Sequence, residues 1–121
     1  MDSEQLKDRT KKLAINIIRL TDTLPKSDST SILNRQIIRS ATSVAANYRS
    51  ACWARSRADF VNKLGIVEEE ADETLFWIEM LIESGKAKEE SILVLQKEIR
   101  EIVAIFFASH KTAKASRSIK L

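Results

Sequence analysis

The sequence predicts an all-α chain folded as an antiparallel up-down-up-down four-helix bundle, and three observations lead there. Apolar residues recur at steps of three and four in four separate segments, a spacing that sets a stripe along one side of each helix. Only two glycines and one proline punctuate 121 residues, too few for the frequent tight turns of a sheet protein. The joints between segments are short and polar, which places consecutive helices side by side and antiparallel. A chain of this length buries one core, so a single domain over 1–121 is expected.

The first helix is expected over about 3–24. Asp2 or Ser3 can accept hydrogen bonds from the unpaired N–H groups of the first turn. Leu6, Thr10, Leu13, Ile17, Leu20 and Leu24 form its stripe, and Pro25 disfavours a helical conformation at Leu24 and ends it. The second helix, about 31–54, begins around Ser29 to Ser31 and lines up Leu33, Ile37, Ala41, Val44, Tyr48 and Ala51, with Cys52 at the edge. Its small seam residues, Ala41 and Ala51, admit a close neighbour. Arg35, Arg39, Ser43, Ala46, Arg49 and Ser50 make a basic ridge on the opposite face.

Ser56 is placed to cap the third helix, about 57–84, with Asp59 in the first turn where the helix dipole favours an acid. Its stripe reads Phe60, Leu64, Val67, Ala71, Leu75, Ile78 and Ile82, and Gly85 is positioned to stop it. Ile66, Phe76, Trp77 and Met80 lie away from that stripe among acids, which predicts a second partner surface, an oligomer interface. Gly65 weakens the helix by roughly 1 kcal/mol relative to Ala, so a close neighbour is expected there. The fourth helix, about 88–110, presents Ile92, Leu95, Ile99, Ile102, Val103, Phe106 and Phe107, and a basic tail over 111–121 is expected to fray.

Charge is segregated rather than large. The net charge is only +3, yet Arg35 to Lys63 holds six bases and one acid, and Glu68 to Glu83 holds seven acids and no base. The cations able to hold phosphates are Arg35, Arg39, Arg49 and Arg57 together with Lys111, Lys114, Arg117 and Lys120 of the tail. The competing expectation is an interaction scaffold in which the arginines meet acids of the third helix, in particular those of a neighbouring copy.

Enzyme chemistry is not expected. A di-iron bundle needs two Glu-x-x-His elements, and His110 is the one histidine; it extends the fourth stripe as a packing or capping residue. The acids from Glu68 to Glu73 point in successive directions around a helix, so no metal or cofactor is assigned to them. Cys52 is alone and reads as an inert thiol. The N-terminus lacks the apolar core of a signal peptide and no run of about 18 apolar residues exists, so a cytoplasmic protein without membrane contact is expected.

Within Ile38 to Glu79 three motifs stand out. They are the small-residue run Ser40 to Asn47 followed by Tyr48-Arg49, the joint Arg55-Ser56-Arg57-Ala58-Asp59-Phe60, and the acidic run Glu68-Glu69-Glu70-Ala71-Asp72-Glu73. In order and at full length they closely resemble the 23S rRNA intervening-sequence proteins, and weaker likeness extends into the first and fourth helices. That resemblance implies a left-handed four-helix bundle assembling as a ring-like homopentamer. It also implies an origin in sequences inserted into bacterial large-subunit rRNA genes, or in free-standing genes. Related accessory proteins of diversity-generating retroelements bind nucleic acid and a reverse transcriptase, which makes RNA an implied partner.

Overall fold

The computed structural model describes the backbone of residues 1–88 and 90–119, and the side chains of these up to residue 116. Four helices follow one another: α1 (Ser3–Thr23), α2 (Asp28–Ala51), α3 (Arg57–Glu83) and α4 (Glu90–Ile119). Each packs against its neighbour in sequence and α4 closes against α1, while among the described residues the diagonal pairs keep their backbones apart and meet only through core side chains. This is the square antiparallel bundle that four stripes and short joints require.

Local chemistry sets the helix ends. The Gln5 N–H donates to Asp2 Oδ1 at 2.8 Å while the Asp2 N–H donates to Gln5 Oε1 at 3.0 Å, a reciprocal capping box. Leu24 is extended, with ψ 144°, as the residue before Pro25 must be. Ser27 rather than Ser29 to Ser31 caps α2 by accepting from the Thr30 N–H at 3.1 Å, so that helix starts earlier than expected. It also stops earlier, because Trp53 and Ala54 donate to carbonyls three residues back and tighten the chain into the turn before α3. Gly85, at φ 77°, ends α3. Its N–H reaches the Ile82 carbonyl and the Lys86 N–H reaches Leu81, both at 3.0 Å, a Schellman closure that favours glycine.

Ser56 caps α3 as expected, accepting from the Asp59 N–H at 3.1 Å. Lys63, four residues on, and then the Arg55 N–H hold the Asp59 carboxyl below the usual carboxylate range. A carboxyl whose folded value is depressed stabilises the fold above its unfolded value and loses that contribution as pH falls through the folded one. Titration of the Asp59 side chain followed by NMR therefore shows a midpoint below that of an unstructured aspartate, returning toward it in Lys63→Met; an unchanged midpoint in that variant removes the pairing.

The α1 stripe is buried from end to end, and Leu64, Val67, Ile99 and Phe106 lie at the centre of the core. The stripe of α3 is corrected at three places. Val61, Thr74 and Leu81 are buried, whereas Phe60, Leu75 and Ile82 sit half-buried at the edge. Thr74 is admitted because its hydroxyl donates to Ser40 Oγ of α2 at 2.9 Å with the Glu70 carbonyl 2.8 Å away. Ser40 in turn donates to the Ile37 carbonyl at 3.2 Å, so no polar atom of this pair is stranded. In α4 Phe107 is exposed, since Phe106 takes the inward position and its neighbour is turned about 100° away. The expected fraying after residue 110 is also corrected. Helix α4 continues to Ile119, with Ala113 buried and Ser116 hydrogen-bonded to Arg57, because its last turns lie against the start of α3.

Candidate interaction surfaces

The arginines of the α2 ridge differ in their partners. Arg39 is committed within its own chain, donating to Glu73 and lying 3.4 Å from a Glu70 oxygen. Glu73 also accepts from the indole N–H of Trp77 at 3.3 Å. Acids of α3 thus meet an arginine of α2, but inside the subunit. Arg35 and Arg49 are exposed and have no ion-pair partner among the described residues. They stand fourteen positions apart on α2, roughly 20 Å along the axis.

The remaining candidates gather at one end of the bundle. The turn between α2 and α3 brings Arg55 and Arg57 there, and the last turns of α4 bring Lys111 and Lys114. Arg57 donates to Ser116, which holds the start of α3 and the end of α4 together. The Arg117 side chain and Lys120 lie outside the described residues. Arg55 belongs with this end but was overlooked in the sequence, where its place in the joint after α2 gave no helical face to assign it to.

Of the four candidates on α3, Ile66, Phe76 and Met80 are exposed, at 45%, 48% and 38%. Trp77 differs from these three: it is half-buried, packs on the core and stacks edge-on with Phe76 at 4.9 Å between ring centroids. A second apolar surface escaped sequence reasoning. Between α1 and α2 runs a groove of about 580 Å³ with Ala14, Ala45 and Ala46 in it, flanked by Ile15 and Ile18 and reaching Trp53, which is 78% exposed. Its signal was present in sequence, since Ile15 and Ile18 fall off the α1 stripe as Ile66 and Phe76 fall off that of α3.

Other polar groups make contacts within the bundle. His110 Nδ1 lies 2.5 Å from Glu68 Oε2, and its ring covers Gly65, where an added Cβ would stand 3.3 Å from Cε1 and Nε2. The expected close neighbour of Gly65 is therefore His110. Arg9 clamps α1 to α4 by a two-pronged pair with Glu98, at 2.7 and 2.6 Å, and a third contact to Glu101 at 3.2 Å. Burial pushes the Tyr48 phenol up, with the Cys52 thiol beside it adding to the shift. Among the described residues no three His, Cys, Asp or Glu side chains converge, and no helix is long and apolar enough to cross a membrane.

Fold and surfaces together define a small antiparallel helical bundle whose polar chemistry is ion pairing and whose exposed features include two apolar faces and a basic end. The chain belongs to the 23S rRNA-intervening sequence protein family, whose model matches residues 4–108. It is similar to a solved structure from Bacteroides thetaiotaomicron VPI-5482, described as a protein with unknown function from the S23 ribosomal protein family. The two share 35% identity, the match covers 92% of this chain and 99% of that one, and the TM-score is 0.82. No curated protein matches the chain.

Proposed function

We propose that the protein is a non-enzymatic, cytoplasmic building block that works as a homo-oligomer, five copies being the number the family likeness implies. The observation that carries this is apolar exposure on two separate sides of a bundle whose core is already complete. Ile66, Phe76 and Met80 on α3, and Ile15, Ile18 and Trp53 beside the α1–α2 groove, lie outside that buried core and keep apolar surface in solvent. His110 is paired with Glu68, and Glu70 and Glu73 with Arg39, contacts that support a non-enzymatic reading of these groups. Trp53 reports assembly directly. Its emission is blue-shifted at high protein concentration and moves red on dilution, and Trp53→Phe, which leaves Trp77 alone, loses most of that change; emission independent of concentration over the micromolar range counts against assembly.

A second reading, RNA association, is favoured by one observation: Arg55, Arg57 and Lys111 are exposed at the same end of the bundle. An oligomer repeats such an end and strengthens a weak patch by avidity. Affinity for a structured RNA then falls linearly with salt on a log-log plot, because each neutralised phosphate releases counterions. Replacing Arg55, Arg57 and Lys111 by Ala flattens the slope, whereas Arg39→Ala leaves it unchanged since that guanidinium is already paired. No gel shift near about 50 mM salt removes RNA and leaves the scaffold.

A further inference from the structure

We propose that copies of this chain join head to tail, the α1–α2 groove of one receiving the outer face of α3 of the next. This rests on the homo-oligomer reading above and specifies its contact. The two surfaces complement each other in shape. The groove is a hollow containing Ala14, Ala45 and Ala46, and the α3 face carries the larger Ile66, Phe76 and Met80 side chains outward. Two grooves set against each other leave a void between alanines, and two α3 faces set bulk against bulk. Large side chains entering a row of small ones fill the space.

Charge complements in the same sense. On the groove, Glu4 is paired with Lys7 and Asp8 with Lys12, at 2.6 and 3.0 Å, while Lys11 and Arg49 have no ion-pair partner among the described residues. The exposed side of α3 carries Glu69 and Glu83, which likewise have none there. An unbalanced basic rim thus faces an unbalanced acidic one, which favours this pairing and opposes like with like. The groove lies between α1 and α2 and the docking face lies on α3, so the two halves of the contact are different surfaces and the contact is heterologous. A heterologous contact repeats from copy to copy and gives a ring where the rotation per step closes.

Two blocked variants test this. Ala46→Glu places a charge in the groove, and Phe76→Arg places one on α3; both positions are exposed, so the helical signal by circular dichroism stays that of the wild type. Each variant alone sediments as a monomer, and a 1:1 mixture gives a two-chain heterodimer through the one intact groove and the one intact α3 face. Trp53→Glu and Met80→Lys serve as a second pair if either first variant loses helicity. An oligomeric wild type whose mixed variants stay monomeric, or a single variant that forms homodimers, overturns the head-to-tail contact alone. A monomeric wild type overturns the homo-oligomer itself, with the contact.

Discussion

Phe106→Ala lowers the stability of the bundle by about 3 to 5 kcal/mol, the range for removing a fully buried aromatic side chain without collapse of the site around it. Phe106 is wholly inaccessible and meets Tyr48 at 5.2 Å between ring centroids, so the ring joins α4 to α2 across the core. Aromatic contact of this kind adds to the loss from burial alone. Urea denaturation of the two proteins, with equal m-values, reads the difference. Phe107→Ala is the control: its ring is exposed, and its replacement changes stability by less than about 0.5 kcal/mol in the monomeric state.

Ala41→Leu is the second large effect and works by the opposite mechanism. Ala41 is fully buried on α2, and the neighbouring helices occupy the space an added side chain would need. Overpacking of such a seam costs about 1 to 3 kcal/mol, through strained rotamers and displaced backbone. Hydrogen exchange locates the effect, with amides of α2 and α3 beside Ala41 losing protection first because these two helices are also tied by Ser40 and Thr74. A leucine accommodated with unchanged stability would show that the α2 seam is not close-packed.

Helix number, order and the ends set by Asp2, Pro25, Ser56 and Gly85 were legible because each is written in local chemistry. Asp2, Ser56, Pro25 and Gly85 act within one turn of themselves, and the α1 stripe is a pure 3.6-residue signal. The α3 stripe was shifted at its polar member for a physical reason. A threonine is excluded from a core by its hydroxyl unless a partner awaits it, and that partner, Ser40, lies 34 positions away on α2. The fate of the arginines was hidden in the same way. Arg35 and Arg39 occupy one face of one helix, yet only Arg39 comes within reach of Glu70 and Glu73. Side-chain commitments of this sort depend on interhelical register, which periodicity within a helix does not specify. The α1–α2 groove belongs to the same class: its alanines on α2 and isoleucines on α1 form one surface only after the two helices have packed.

Length of α4 was misjudged because the basic run after His110 has the composition of a frayed end. What holds it is again an interhelical contact, Arg57 to Ser116, along with the burial of Ala113. The basic end of the bundle is therefore an ordered helical surface up to the described limit, not a loose tail.

Native mass spectrometry of the intact chain, sprayed from micromolar solution in volatile buffer, tests self-assembly most directly. The account predicts a single dominant species at a whole-number multiple of 13.7 kDa, fivefold for the expected pentamer, which falls to one chain in Phe76→Arg. A wild-type spectrum containing the 13.7 kDa chain alone would contradict it.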